Sequence, residues 1–140
     1  MFNRSKSCYE GLDLGEDIAC GDYDAVATEA LIFMLSSLRS QRKYAKGYVL
    51  IDKINVETLS SLVSRALQLA LEKNLKVRYL TCDGTTTNLA AMKLIGCRIG
   101  HNLENIDGAF TFKNYDWTIY FTPDMPHMLK LGRNALSDRR

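Results

Sequence analysis

Eight apolar residues, Val56, Leu59, Leu62, Val63, Ala66, Leu67, Ala70 and Leu71, recur at intervals of three and four. That spacing lines them along one stripe of an α-helix, with Arg65, Gln68, Glu72 and Lys73 outside it. Asn55 stands where an N-cap belongs, Glu57 falls in the first turn, and Asn74 is placed to end the helix. A stripe of this length must be covered, and the flanking sequence supplies strands for it. Gly47-Tyr48-Val49-Leu50-Ile51 precedes it, and Lys76-Val77-Arg78-Tyr79-Leu80-Thr81-Cys82 comes after it. Strand, helix, strand predicts a right-handed parallel crossover.

The remaining elements are shorter. Residues 9–15 read as a strand ending in a Gly turn, and residues 16–24, with four acids and Gly21, read as a loop. The run from Ala25 through Leu35 is apolar on both faces and fits a buried strand or a buried helix equally. A basic loop comes next. Thr85, Thr86 and Thr87 offer cap hydroxyls to a second helix over 88–95 that Gly96 would end, with Leu89, Met92 and Ile95 on its apolar face and Ala90 and Ala91 allowing close approach. Residues 101–108 read as a polar connection. Ala109-Phe110-Thr111-Phe112 and Thr118-Ile119-Tyr120-Phe121 read as strands, with a turn at Asn114-Tyr115-Asp116. A last helix is expected over 126–136, where Pro126 suits a first turn. The fold class expected is α/β, a mixed sheet with flanking helices.

With 140 residues, 46% of them hydrophobic and 24% charged, the chain can hold a core, and its composition is that of a globular protein. The 18 Lys and Arg nearly balance the 16 Asp and Glu, so the net charge of +2 gives no overall basic field. Cations gather locally in Arg39, Arg42, Lys43 and Lys46, and in Lys130, Arg133, Arg139 and Arg140, which read as a solvated face and a polar tail. Cys8, Cys20, Cys82 and Cys97 lack the paired spacing of a zinc site and read as free thiols. The longest apolar run falls well short of the about 20 residues a bilayer span needs, so a soluble intracellular protein is expected.

Asp83 is the most informative acid, because a carboxylate at the carboxyl end of a parallel strand lies where open α/β sheets bind ligands and metals. The competing reading is that it organises the turn with Gly84 or caps the next helix. Asp124 stands at the junction of the last strand and helix and is a secondary candidate, with a helix-capping role as its alternative. His127, a candidate general base, and Lys130 and Arg133, candidate phosphate contacts, come after it at three-residue intervals, but a lone His near a helix start is more often a capping or packing residue. Tyr115, Trp117 and Tyr120 fit a core better than a base-stacking platform.

Tyr79-Leu80-Thr81-Cys82-Asp83-Gly84-Thr85-Thr86-Thr87-Asn88-Leu89-Ala90-Ala91-Met92-Lys93-Leu94-Ile95-Gly96 resembles the segment that carries the second catalytic aspartate of P-element-type transposases and their THAP-domain relatives. Phe121-Thr122-Pro123-Asp124-Met125-Pro126-His127-Met128-Leu129-Lys130-Leu131-Gly132-Arg133-Asn134 is similar to that family's Asp-Pro-Cys-His, Lys, Arg-Asn signature ahead of an inserted GTP-binding domain, with Met125-Pro126 where the family has Pro-Cys. Gly11-Leu12-Asp13-Leu14-Gly15 resembles the family's second core strand. Glu29-Ala30-Leu31-Ile32-Phe33-Met34 and Lys46-Gly47-Tyr48-Val49-Leu50 resemble its third strand and the segment after that strand.

The resemblance covers residues 9–137 and implies a partial RNase H-like domain before the GTP-binding insertion, with 1–8 a disordered or truncated start and 138–140 a tail. It implies Asp83 as a metal-holding catalytic acid, Mg²⁺ as cofactor, double-stranded DNA as ancestral substrate, transposase partners or self-association, and a nuclear location. The family's first acid, in an Asp-Glu-Met strand, and its third, a Glu beyond the insertion, have no counterpart in these residues. Neither do its THAP-type zinc motif and GTP-binding segment. Two-metal strand transfer needs several carboxylates to hold ions about 3.5–4 Å apart, so the chain is expected to be inactive alone. A noncatalytic interaction domain and a truncated gene product are the alternatives.

Overall fold

The computed structural model describes residues 27–99, 106–113 and 115–137. The strand expected over 9–15, the loop over 16–24, Asn114 of the expected turn, and Cys8, Cys20, Arg139 and Arg140 lie outside the described residues. The structure divides into two compact units, Met1–Leu62 and Val63–Arg140.

In the first unit, β1 (Glu29–Ser36) and β2 (Lys43–Ile51) form an antiparallel hairpin running in register from Glu29↔Ile51 to Ser36↔Lys43. The apolar run that fitted two elements is a strand. Its alternation decides the matter: Leu31, Phe33 and Leu35 are half-buried, while Ala30, Ile32 and Met34 are exposed on the other face. Phe33 pairs with Gly47 but Met34 pairs with Ala45, so Lys46 is an extra, bulged residue. The Ser37 N–H donates to the Arg42 carbonyl at 3.0 Å and closes the turn. The basic loop is therefore shorter than expected, because Lys43 and Lys46 belong to β2.

α1 (Val56–Glu72) starts as its sequence predicts: the Asn55 Oδ1 accepts the Thr58 N–H at 2.7 Å. It ends in a Schellman motif, with the Leu75 N–H on the Ala70 carbonyl and the Asn74 N–H on the Leu71 carbonyl, both at 2.8 Å. Asn74 takes the left-handed conformation this requires, φ 56°. Leu59, Leu62, Val63, Leu67 and Ala70 of the stripe are buried.

The second unit holds a mixed three-stranded sheet in the order β3–β7–β6. Numbered along the chain, its strands are β3 (Tyr79–Cys82), the two-residue pair β4 (Arg98–Ile99) and β5 (Ile106–Asp107), β6 (Ala109–Thr111) and β7 (Thr118–Pro123). β3 and β7 run parallel, β6 and β7 antiparallel, and β4 pairs with β5 antiparallel. The expected crossover through α1 is thus not the parallel pairing observed; the parallel partner of β3 is β7. β5 also lies inside the stretch read as a polar connection, two residues being too few to show a period.

α2 (Thr86–Leu94) is capped by Thr85, whose hydroxyl accepts the Asn88 N–H, and Gly96 ends it at φ 118° with the Cys97 N–H on the Met92 carbonyl at 3.0 Å. α3 (Met125–Ser137) begins directly after β7. With β-strands, three helices and both pairing senses, the α/β expectation holds.

The core of this unit is aromatic. Ile119 and Phe121 of β7, Phe110, Phe112 and Tyr115 are buried. The Tyr115 ring meets Phe112 edge-on at 5.5 Å and Trp117 at 4.3 Å, and its hydroxyl donates to the Leu67 carbonyl of α1 at 2.6 Å. The Trp117 indole N–H donates to the Val77 carbonyl at 2.8 Å. Tyr120 does not join this core: it is exposed and stacks on exposed Tyr79 at 5.6 Å.

Two glycines give a matched test. A Cβ on Gly108 would overlap the backbone carbonyl oxygen of Phe121, and the Phe121 N–H already donates to the Gly108 carbonyl at 2.8 Å, so neither chain can step back. A Cβ on Gly132 in α3 would meet nothing within 4 Å. In thermal denaturation, Gly108→Ala is expected to destabilise by about 1–3 kcal/mol. Gly132→Ala is expected to stabilise its helix by about 0.8–1.0 kcal/mol.

Candidate functional site

The parallel pairing of β3 with β7 brings the two acids singled out in the sequence to one edge. The register runs Tyr79↔Tyr120, Leu80↔Phe121, Thr81↔Thr122 and Cys82↔Pro123, so Asp83 and Asp124 are the next residues on neighbouring strands. The ladder reaches them, because the Asp124 N–H donates to the Cys82 carbonyl at 2.8 Å. Both carboxylates therefore stand at the carboxyl edge of a parallel pair, where strand ends in α/β sheets present ligand-binding groups. Tyr79, Thr81, Tyr120 and Thr122 line the exposed side of these strands.

Asp83 is half-buried and works in the turn. Its Oδ1 accepts the Thr85 N–H at 3.4 Å and also the side-chain amide of Asn88. The same Asn88 gives its backbone N–H to the Thr85 hydroxyl, so one residue of α2 joins the cap to the carboxylate. The turn-organising role is real, and among the described residues the hydrogen bonds to the carboxylate fall on one oxygen, Oδ1, while the Asn88 amide also reaches the Asp83 carbonyl at 3.5 Å. Sequence reasoning missed Asn88; its position one turn into a Thr-capped helix was the available signal. Gly84 is closely covered, since a Cβ there would overlap the Met128 sulfur of α3.

Asp124 is exposed and ends β7 while starting α3, its carbonyl accepting the Met128 N–H at 3.0 Å. His127 is half-buried one turn on; Lys130 and Arg133 are exposed, with the Arg133 guanidinium donating to the Asn134 Oδ1 at 3.3 Å. No group of three or more His, Cys, Asp and Glu is placed to hold a metal among the described residues. Two hard carboxylates at one edge fit a single Mg²⁺ that keeps several waters. They do not make up the ligand set of a two-ion centre.

The thiols beside this edge are held in their neutral form. Burial pushes Cys82 up to about 11, helped by the charge of Asp83, and pushes Cys97 up to about 12, helped by Cys82 and Asp107. Both stay protonated at neutral pH, whereas thiolates bind metals and attack electrophiles. Because the folded values lie above the ordinary 9.0, the thiols' contribution to stability is complete below pH 9 and is lost as pH rises toward 11–12. Denaturant midpoints are expected to fall over that window in the wild type and to fall less in Cys82→Ser/Cys97→Ser.

Among the described residues no helix is long and apolar enough to cross a membrane. A family model described as TNP-like, RNase H N-terminal domain, matches residues 1–96. The match takes in the hairpin, α1, β3, Asp83 and α2, and stops short of β7 and Asp124. No curated protein and no solved structure matches the chain significantly.

Proposed function

The chain belongs to the family of TNP-like RNase H N-terminal domains, and from that premise we propose that it is part of a P-element-type DNA transposase catalytic domain in which Asp83 holds a divalent metal ion. The observation that carries this is the placement of Asp83: it ends a parallel strand inside the matched segment and stands in register beside a second carboxylate, Asp124. Bound there, Mg²⁺ would supply Lewis-acid polarisation of a phosphodiester oxygen. The protein's own part is to hold the carboxylate. Asn88 and the Thr85 N–H fix Asp83 through Oδ1, which leaves the other oxygen to face the ion. Asp124 adds a second, more exposed oxygen donor. Double-stranded DNA is the substrate on this reading, the nucleus its setting, and GTP a ligand of the longer family members.

Among the described residues two carboxylates stand ready to hold one ion, and in-line strand transfer needs a clamp on both attacking and leaving oxygens. The 140-residue chain is therefore proposed to bind metal without cutting DNA. In Asp83→Asn the amide oxygen still accepts from Thr85 and Asn88, so the turn survives while the charge is lost. Mn²⁺ binding, measured by paramagnetic relaxation, is expected to weaken roughly tenfold or more in Asp83→Asn and less in Asp124→Asn, with unchanged melting. Binding indifferent to Asp83→Asn, or DNA cleavage by the wild-type chain, would overturn the reading.

A second reading, a noncatalytic interaction domain, has one observation in its favour. α3 exposes Met125, Leu129 and Leu136 at 63%, 72% and 71%, an apolar row at helical spacing. Self-association through that row predicts a sedimentation coefficient that rises with concentration and ceases to do so in Leu129→Glu/Leu136→Glu.

A further inference from the structure

The net positive charge of this chain resides in one hairpin. Between Ala30 and Ile51 there are four cations, Arg39, Arg42, Lys43 and Lys46, and no acid. Of 18 cations and 16 acids in the whole chain, the remainder thus holds 14 against 16 and is net negative. Soluble surfaces ordinarily intersperse the two signs. Here the acids stand at the foot of the hairpin, where Glu29 pairs with Ile51 and Asp52 takes the Thr28 hydroxyl at 3.2 Å, and the cations at its tip.

The backbone sets these cations out. The Ser37 N–H to Arg42 carbonyl bond closes the turn that carries Arg39, and the Arg39 N–H is itself held by the Ser37 hydroxyl at 3.3 Å. Lys43 opens β2, and the bulge singles out Lys46, whose ammonium lies 5.6 Å from the Tyr44 ring centroid. All four side chains are exposed, and among the described residues none of them lies within salt-bridge distance of a carboxylate; the pair found there is Arg65 with Glu72. From Lys43 to Lys46 the strand advances about 10 Å, and over that length duplex DNA presents roughly six phosphate charges. A two-stranded ribbon is also narrow enough to enter a major groove.

We propose that the tip of the β1–β2 hairpin is a contact surface for the phosphodiester backbone of a duplex, with Arg39, Arg42, Lys43 and Lys46 as the phosphate-binding side chains. The contact is independent of base sequence, because point charges on phosphates carry no base information. It shares with the metal-site reading only the nature of the polymer, and it is measured in EDTA so that Asp83 has no part in the result.

The test is binding of the full 140-residue chain to a mixed-sequence 30-base-pair duplex, monitored by fluorescence anisotropy from about 50 to 200 mM KCl. Each phosphate neutralised contributes about 0.9 to the slope of log affinity against log salt, so Arg39→Gln/Arg42→Gln/Lys43→Gln/Lys46→Gln should lower the slope by about 3–4 and weaken binding at least about tenfold at low salt. Lys73→Gln/Lys93→Gln, two exposed cations outside the hairpin, should leave affinity within about twofold. Circular dichroism melting checks that each variant is folded. Parallel titrations with DNA and RNA duplexes identify the polymer, and hairpin-dependent binding of either supports the proposal. A slope unchanged in the fourfold variant, no duplex binding by the wild type, or hairpin-dependent binding to phosphatidylserine vesicles with none to either duplex overturns it.

Discussion

The pairing of β3 with β7 is the constraint on which the second unit rests. It joins segments about forty residues apart in sequence, and the cost of closing so long a loop is recovered only when the strands lock in register. Ile119 and Phe121 supply the burial that makes this register favourable: a slip of one residue would turn both toward water and bring Tyr120 and Thr122 inward. The edge geometry is a result of that apolar alternation. Asp83 and Asp124 are neighbours because hydrophobic side chains several residues earlier fix where each strand stops.

What the sequence disclosed depended on how local the governing interaction was. Asn55, Thr85, Asn74 and Gly96 act on backbone groups within five residues of themselves, and each caps or ends its helix where its chemistry predicts. The apolar stripe of α1 was legible for the same reason. Strand partnership is not legible in this way: element order implies a crossover through α1, yet the parallel pairing observed is between β3 and β7. Aromatics at alternating positions of a strand suggest a core place for Tyr120, yet the pleat puts it on the exposed side against Tyr79. In the candidate site, Asp83 and Asp124 were visible one at a time. Their adjacency and the grip of Asn88 on Asp83 required the fold.

The two units differ in how polarity is arranged. In the second, the Tyr115 hydroxyl meets the Leu67 carbonyl and the Trp117 indole the Val77 carbonyl, and no buried side-chain nitrogen or oxygen lacks a partner among the described residues. In the first, polarity is segregated along the hairpin, acids at one end and cations at the other. A dipolar arrangement of that kind orients a body in an external field rather than stabilising it internally.

Asp124 is the last residue of one lattice and the first of another: its N–H completes the β3–β7 ladder and its carbonyl begins α3. The thirteen residues of α3 make a rod about 20 Å long, starting where the carboxylate sits and resting through Met128 on Gly84 one turn along. In such a lever the far end, near Leu136, travels farthest for a given tilt, and the fulcrum scarcely moves. A tilt of the helix about that point would displace Leu136 and leave Asp124 nearly in place.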